Sequence, residues 1–439
     1  MATKALLFNE TPFVPYLARA DQVDAALDLP DGDVRELREL ARHYAEAADN
    51  PLMPERIRLW ERINDLEGGR PLVWLNEVCW HEMNVDGELT LRCASEVGRR
   101  IESELRKALY QWRHMPADMV IEPVLHSPFI MENSGFGIAV EADVRETDSE
   151  SAIASRHFHT QIRELADVGK VKDPVITVDA ERTEAFYQEY SRIFKGILPV
   201  EKRGATGFWF APWDDIVYWM GAEEVLFNLV DNPDLMHALM RRLMDAYRSA
   251  LDQWTALGAS GSNNANVRVG SGGYGYTREL PRAAGSLPPT DAWGACAAQI
   301  FGSVSPDMHK EFGIDYEIEW LRRFGLAYYG CCEPLSGRVD ILAAIPNLRK
   351  ISISPWADEK AAAESMRGRY VVSLKPTPSH FASPVFDGKL VERELREKLG
   401  NLKGCCVEVI MKDISTVNYD PSRLWRWTEI AMRVVEEFG

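Results

Sequence analysis

The sequence lacks the features that mark membrane and secreted proteins. None of its apolar runs approaches the roughly 18–20 residues that a membrane-spanning helix needs. Its N-terminal residues show neither the apolar stretch nor the small-residue cleavage site of a signal peptide. The chain has 439 residues, of which 46% are hydrophobic, so it can bury a large core. We therefore expect a cytoplasmic globular protein with no membrane partner.

Positive charge is also scarce. Lys and Arg number 50 against 67 Asp and Glu, which gives a formal net charge of −17 and a pI near 5.1. A surface that binds nucleic acid needs clustered Lys and Arg to contact phosphates. We expect no nucleic-acid partner and interpret the acidic balance as a solubility feature.

The seven cysteines do not form a recognisable disulfide or zinc-ribbon pattern. Their odd number, together with the adjacent pairs Cys331–Cys332 and Cys405–Cys406, argues against a disulfide framework. No C-x-x-C and no H-E-x-x-H occurs. Cys405–Cys406 begins a predicted strand, and we interpret that pair as structural.

One glycine-rich segment resembles a dinucleotide-binding motif in spelling only. Residues 270–275 read G-x-G-x-x-G, a motif that must open a helix if it is to hold a pyrophosphate. The residues that follow, Tyr276-Thr-Arg-Glu-Leu-Pro281, do not predict a helix. We therefore interpret the segment as a flexible substrate loop.

The C-terminal third alternates between strand and helix patterns. Short apolar runs at 326–329, 349–353, 370–374 and 406–411 are each followed by a helical pattern. Four successive strand–helix units require a parallel sheet. With about four more strands upstream, the sequence predicts an α/β fold, a closed (β/α)8 TIM barrel. An open doubly wound sheet is the alternative.

The N-terminal quarter has a different pattern. Residues 33–48, 54–66 and 87–112 carry apolar side chains at helical spacing. No Gly-, Ser- or Pro-rich linker separates them from the rest of the chain. We expect residues 1–115 to be a helical extension packed on a barrel formed by residues 116–439.

Polar residues that follow apolar strands are the candidate site, because the functional groups of a TIM barrel lie at the carboxyl ends of its strands. This rule selects a set of residues at five strand ends: His126, Cys331, Cys332, Glu333, Trp356, Lys375, Lys412 and Asp413. Thiolates and carboxylates are competent zinc ligands. The alternative is that the two cysteines are small buried residues. Since neighbours on a strand point to opposite faces, only one of them is expected to bind unless a turn begins there.

Two other features have simpler interpretations. His157 and His159 share one face of an extended segment, but the surrounding residues are polar, so we interpret these histidines as solvated. The aromatic side chains of segment 208–220 could form the base of a pocket for a flat substrate, but we favour the interpretation that they pack in the core.

Three segments carry a resemblance to a known family. They are Ser305-Pro-Asp-Met-His-Lys-Glu-Phe312, the strand and polar end at 326–334, and the closing strand, turn and helix around Pro421. Over about residues 115–439 the chain resembles the uroporphyrinogen decarboxylase superfamily. That superfamily has the TIM-barrel fold and includes the haem-pathway decarboxylase and zinc-dependent methyltransferases that work with corrinoid proteins. The arginine-rich N-terminal stretch of the decarboxylase is missing, so the methyltransferase branch is the better match.

The resemblance implies a metal and a reaction. In the methyltransferases, zinc is held by H-x-C at one strand end and by a Cys near the end of the last strand. This chain has Gly330-Cys-Cys332 at the first place and Asp413 near the second. The resemblance therefore implies Cys332 as a Zn²⁺ ligand, with Glu333 or Asp413 as co-ligands and Cys331 as a further candidate. Lys375, Asp413 and His126 are the expected catalytic residues.

The implied reaction moves a methyl group between a small methylated substrate, or an acceptor, and a corrinoid. No corrinoid-binding motif occurs in the chain, so a partner protein would supply that cofactor. A homodimer is compatible with the sequence. One alternative is a metal-free decarboxylase or lyase in which Lys375, Lys412 or Arg268 holds the carboxylate of a small acid. Another is a non-catalytic binding protein.

Overall fold

The computed structural model describes residues 17–19, 29–146, 154–282 and 285–439. In those ranges no helix is both long enough and apolar enough to cross a membrane. The strands are β1 Leu17–Arg19, β2 Leu72–Leu75, β3 Leu125–Asn133, β4 Ala142–Glu146, β5 Ala154–Phe158, β6 Ile176–Val178, β7 Val200–Arg203, β8 Trp209–Phe210, β9 Trp293–Cys296, β10 Leu326–Tyr329, β11 Leu348–Ile353, β12 Val371–Leu374 and β13 Cys406–Met411.

The helices lie before, between and after these strands. They are α1 Asp31–Ala48, α2 Leu52–Asn64, α3 Glu96–His114, α4 Ala180–Phe194, α5 Pro212–Met220, α6 Ala222–Asp231, α7 Pro233–Ala256, α8 Pro306–His309, α9 Asp315–Leu321, α10 Val339–Leu342, α11 Glu359–Met366, α12 Ser379–Ala382, α13 Gly388–Asn401 and α14 Ser422–Glu436. A π-helical turn, Lys310–Ile314, joins α8 to α9.

A seven-stranded parallel sheet is the centre of the fold. Its strand order is β2-β13-β12-β11-β10-β9-β8. The four predicted strand–helix units are confirmed, because β10, β11, β12 and β13 are contiguous and parallel. The α/β class follows from this sheet.

The strand ladder is not closed into a ring among the described residues. Pairing ends at β2 on one edge and at β8 on the other. The segment 263–277 contacts both edges instead. The Asn263 amide donates to Thr206 O (3.0 Å) before β8, and Arg268 Nη1 donates to Asn76 Oδ1 (2.9 Å) after β2.

The sequence also predicts a strand in the apolar run 118–125, which ends before His126, but residues 118–124 form no strand. Pro123 has no N–H to donate to a ladder, and β3 begins only at Leu125. β3 belongs to another sheet, in which it pairs with β1, β6 and β7.

The N-terminal segment is helical, as expected, in α1, α2 and α3. The last of these begins at Glu96 rather than near 87, because Ser95 caps it by accepting from Gly98 N (3.0 Å). However, residues 1–115 also contribute β2, which pairs with β13. The apolar run 72–75 is too short for a helix and reads as a buried strand. The division of the chain into an extension and a barrel near residue 115 therefore stays a prediction.

The glycine-rich segment is a buried hairpin rather than a flexible substrate loop. Val269 N donates to Gly273 O (2.9 Å), and residues 267–277 are buried throughout. No helix follows in residues 276–282. A Cβ at Gly272 would lie 2.5 Å from Glu408 Oε1 and 2.7 Å from the Tyr328 ring. Glycine is required because the backbone touches the inner face of the sheet.

A buried ion pair lies where the hairpin meets the sheet. Lys350 Nζ on β11 donates to Glu408 Oε2 on β13 (2.9 Å), and both side chains are fully buried. Ser373 Oγ (2.6 Å) and the Gly273 amide (3.0 Å) donate to Glu408 Oε1. These hydrogen bonds satisfy charges that burial would otherwise make costly.

Gly272→Ala should lower the free energy of unfolding by about 1–3 kcal/mol, because the added methyl group overpacks the contact with Glu408 and Tyr328. Gly400→Ala in α13 is the control, since no atom lies within 4 Å of its new Cβ, and it should be neutral or stabilising. Denaturant unfolding of both variants measures the difference. Equal stabilities would contradict the buried placement of the hairpin.

Candidate active site at the carboxyl ends of the parallel strands

The polar residues that follow β10 and β13 are in direct contact. Cys332 Sγ, after β10, lies 3.7 Å from Asp413 Oδ2, after β13. Two strands separate β10 from β13, so in a flat sheet their ends would be about 14 Å apart. The contact therefore shows that the sheet curves around this point.

Two sulfurs and a carboxylate surround a buried ammonium group. Cys331 Sγ and Cys332 Sγ are 3.6 Å apart. Lys412 Nζ lies 3.3 Å from the first sulfur, 3.9 Å from the second and 3.0 Å from Asp413 Oδ2. The Lys412 side chain is only 4% exposed, whereas that of Asp413 is 51% exposed and Cys332 is also exposed. The cation is thus beneath donor atoms that open to solvent.

The ionisable groups around Lys412 shift one another's pKa values. Burial opposes the charge of Lys412, but the Cys331 sulfur, Glu77 and Asp413 outweigh it and raise its pKa. The hydrogen bond from Cys332 and the nearby ammonium lower the pKa of Cys331, although burial opposes this. The same sulfur–sulfur contact raises the pKa of Cys332. Burial raises the pKa of Asp413. Of the two thiols, Cys331 therefore has the lower pKa.

Glu77 belongs to this site, and the sequence reasoning missed it. Its carboxylate accepts from Arg268 Nη1 (2.7 Å) and from Asp413 N (3.4 Å), and lies 3.8 Å from Lys412 Nζ. Burial raises its pKa, but Arg268 and Lys412 overcome this and bring the pKa down to about 2. It was overlooked because β2 lies in the segment interpreted as helical. The sequence pattern that could have identified Glu77 is the apolar run 72–75 with the polar residues Asn76 and Glu77 directly after it.

Two of the acidic residues have an unusual backbone. Glu77 (φ 53°) and Asp413 (φ 57°) are both in the left-handed region, which side-chain-bearing residues rarely adopt. They follow neighbouring strands, β2 and β13. Such conformations cost energy and concentrate at functional sites.

Lys375 lies deeper in the curved sheet. It follows β12, is 2% exposed, and donates to Ser373 Oγ and to Tyr328 OH (3.1 Å). Because Ser373 donates in turn to Glu408, Lys375 joins the buried ion pair to the mouth of the site. Burial lowers its pKa to about 8.

Glu333 is next to the cysteines, but its carboxylate is engaged elsewhere. It accepts from the Cys331 amide (2.8 Å) and from the Ala298 amide (3.3 Å), and it is buried. Burial raises its pKa. In this arrangement Glu333 holds the turn in place, and Asp413 is the carboxylate that meets the sulfurs.

His126 is not brought to the cysteines. It lies on β3, outside the seven-stranded sheet, and lines a cavity of about 350 Å³ with Glu122, Arg203 and Arg282. Burial, with a further contribution from Arg203, lowers its pKa to about 3. The sequence predicts His126 at the end of a barrel strand, but it is the second residue of β3, which pairs with β7 outside the seven-stranded sheet.

No hydrogen bond or ion pair joins the remaining candidates to the cysteines, Lys412 or Asp413 within the described ranges. Trp356 follows β11 and is 76% exposed. His157 and His159 are exposed on β5 or just after it, as expected for solvated residues. Of segment 208–220, Trp209, Trp213 and Trp219 are buried, which favours core packing. Within the described ranges one trio with metal-ligand spacing occurs, Asp86, Glu88 and His114, but Glu88 is already paired with His114 and Arg113.

A buried polar chain supports β10 from the side opposite the hairpin. Arg338 Nη1 donates to His309 Nδ1 (2.9 Å), His309 Nε2 meets Tyr329 OH (2.7 Å), and Tyr329 donates to Glu317 Oε2 (2.6 Å). Glu317 is fully buried, and its Oε1 has no hydrogen-bond partner among the described residues. Burial raises the pKa of Glu317 from 4.5 to about 8.

Comparisons with known proteins give structural likenesses but no match to a family model or to a curated protein. A solved structure, a methyltransferase from Methanosarcina mazei, aligns over 87% of this chain and 98% of its own, with 13% identity and a TM-score of 0.48. These values do not support an assignment of activity.

Asp413→Gly should be more stable than Asp413→Ala by about 1 kcal/mol. Both variants lose the carboxylate, but only glycine adopts φ 57° without a Cβ penalty. Glu364 in the helix α11 is the control, where Ala should be the more stable. Equal denaturation midpoints for Asp413→Gly and Asp413→Ala would show that the backbone there is unstrained.

Glu317→Gln should gain stability relative to the wild type as pH rises. The native wild type keeps a proton that the unfolded chain releases above pH 4.5, so its free energy of unfolding falls from about pH 4.5 to about pH 8 and then levels off. The amide does not titrate and can still accept from Tyr329. The melting temperature of Glu317→Gln minus that of the wild type should be several degrees larger at pH 9 than at pH 5. If this difference is the same at both pH values, Glu317 is not a buried neutral carboxyl group.

Proposed function

We propose that this protein is a zinc-dependent methyltransferase that moves a methyl group between a small methylated substrate, or an acceptor, and a corrinoid protein. The site is at the carboxyl ends of β10 and β13. The observation that carries the proposal is the grouping of Cys331 Sγ, Cys332 Sγ and Asp413 Oδ2 around one cation. We further propose that the sheet is a distorted (β/α)8 barrel in which segment 263–277 replaces regular pairing between β2 and β8.

Two of the three donor–donor distances match those of a zinc ion, and the third, between Cys331 Sγ and the Asp413 carboxylate, exceeds 4.8 Å and would have to shorten on binding. Ligands of a tetrahedral zinc with bonds of about 2.3 Å are separated by about 3.7 Å. The sulfur–sulfur distance is 3.6 Å and the Cys332–Asp413 distance is 3.7 Å. Three protein ligands with one face open to solvent are typical of a catalytic rather than a structural zinc site. Both cysteines can face one ion because β10 ends at Tyr329 and the chain turns at Gly330.

Lys412 shows that this place favours positive charge. Its ammonium is within 3.9 Å of both sulfurs and of Asp413, so it would compete with a metal ion for the same three atoms. Arg268 and Glu77 form a neighbouring ion pair, and Glu77 accepts from the Asp413 amide. We infer that this pair positions Asp413 whichever cation is bound.

The chemistry of methyl transfer suits such a site. Zn²⁺ bound there would supply a Lewis acid that stabilises negative charge on the sulfur or oxygen that loses or accepts the methyl group. Lys375, whose pKa is about 8, is near the range in which a group can hold or give a proton at neutral pH. Its ammonium donates to Ser373 and Tyr328, so any proton that it releases starts within that buried network.

The mouth also offers a surface for a large partner. Three exposed large apolar side chains, Trp356, Val385 and Tyr419, lie in the segments that connect β11, β12 and β13 to the next long helices. Exposed apolar side chains that form a patch mark interaction surfaces. We propose that a corrinoid-carrying protein docks on these segments.

A metal-free lyase is the second candidate, and the position of Lys412 favours it. If the ammonium keeps its place between the sulfurs and Asp413, it can bind the carboxylate of a small acid together with Arg268. Lys375 would then be the proton donor. The two candidates differ in whether a metal is required.

Protein purified without chelators should contain stoichiometric zinc by inductively coupled plasma mass spectrometry. Cys332→Ser and Asp413→Asn should lose most of it without unfolding, because both residues are exposed and outside the core. Cys405→Ser, just before β13, is the matched control and should keep its zinc.

The same preparations should methylate cob(I)alamin from at least one of a panel of small methyl ethers, thioethers and methylamines, as followed by the cobalamin absorption spectrum. If the wild type neither contains zinc nor binds it on titration, the proposal is wrong. Release of CO₂ from small carboxylic acids by that metal-free protein would then establish the lyase.

A further inference from the structure

The two adjacent cysteines face each other, which neighbours on a strand do not do. Gly330 (φ 98°) turns the chain at the end of β10, and a Cβ there would clash with Leu335 Cδ1. The turn is then fixed at the next residue. The Cys331 amide donates to Glu333 (2.8 Å), and the Cys331 carbonyl accepts from Ser352 Oγ (2.7 Å). These contacts leave the two sulfurs 3.6 Å apart.

Access to the pair is one-sided. Cys332 is exposed, whereas the other six cysteines are buried or half-buried. A small oxidant in solution therefore meets Cys332 first and finds a second thiol beside it. Low-molecular-weight oxidants act on exposed thiols that have such a resolving partner.

We propose that Cys331 and Cys332 are a reversible oxidative modification site that closes to a vicinal disulfide. With hydrogen peroxide, one thiol is oxidised to a sulfenic acid and one water is released. The other sulfur then attacks the sulfenic sulfur, the S–S bond forms and a second water leaves. The two sulfurs together give up two electrons, and the peroxide is reduced to water.

The covalent geometry makes this disulfide easy to reduce. Consecutive Cα atoms across a trans peptide are about 3.8 Å apart, whereas disulfides usually span Cα distances of about 4.4–6.8 Å. Closing the bond between adjacent residues therefore strains the turn. Strained, exposed disulfides have the higher reduction potentials that suit labile and regulatory bonds.

For the proposed function, the modification would act as a switch, and only this consequence rests on that function. Sulfurs joined in a disulfide cannot serve as thiolate ligands. Oxidation would therefore remove two of the three donors of the proposed metal site and leave Asp413 beside Lys412. Bound zinc, conversely, would protect the thiols.

The chain contains a matched control for the test. Cys405 and Cys406 are also adjacent, but Cys406 begins β13 and is buried, and no sulfur–sulfur contact joins the two among the described residues. Trypsin separates the pairs, because Cys331–Cys332 falls in the peptide 324–338 and Cys405–Cys406 in the peptide 404–412. One digest therefore reports on both.

The full-length, reduced, metal-free protein is treated with hydrogen peroxide, unfolded in N-ethylmaleimide and analysed by mass spectrometry. Peptide 324–338 should lose two hydrogen atoms and take up no maleimide, while peptide 404–412 takes up two. Dithiothreitol should restore both thiols of the first pair. Cys331→Ser should leave a sulfenic acid on Cys332 that dimedone traps.

The inference is overturned if peptide 324–338 stays reduced, if it passes directly to sulfinic acid, or if both pairs oxidise equally. Zinc titration of the reduced and oxidised protein separates this result from the proposed function. Zinc binding without disulfide formation would refute only the switch. Disulfide formation in a protein that never binds zinc would refute only the metal.

Discussion

The interaction on which the rest of the structure depends is the set of hydrogen bonds around the Glu408 carboxylate. Lys350 from β11, Ser373 from β12 and the Gly273 amide of the hairpin all donate to it on the inner face of the curved sheet. A buried charge that lost one of these partners would be strongly destabilising. This requirement joins three strands to a hairpin that lies 135 residues before Glu408 in the sequence, and it explains why glycine lies where the hairpin meets the sheet.

The same network reaches the candidate site. The Ser373 hydroxyl accepts a hydrogen bond from Lys375, which follows β12 and has a pKa lowered to about 8. Above it, Lys412 is held among two sulfurs and two carboxylates. A curved parallel sheet gathers these groups at one end, so a cation there is surrounded by soft and hard donors together. Zinc accepts such a set of thiolate and carboxylate ligands, and the same pair of adjacent thiols is the basis of the proposed oxidation.

Much of the C-terminal half could be predicted because its signals are local. Each of the strands β10 to β13 is a short apolar run with a helical pattern behind it, and the parallel rule brings their ends to one edge. Cys332, Lys412 and Asp413 followed from that reasoning. His126 did not belong with them, because Pro123 interrupts the expected strand and β3 pairs with β7 instead. Glu77 was missed because three helices around β2 dominate the local pattern.

The sequence by itself therefore determined the class of fold, the order of the last four strands and the residue types at their ends, because periodicity and strand polarity act over a few residues. Only the tertiary structure decided that Glu77 and Arg268 join Asp413, that Glu333 turns to backbone amides, and that the glycine-rich segment lies inside the sheet. Each of these depends on contacts between residues far apart in the chain. Such contacts are chosen by the need to satisfy buried charges and polar groups, which no local pattern encodes.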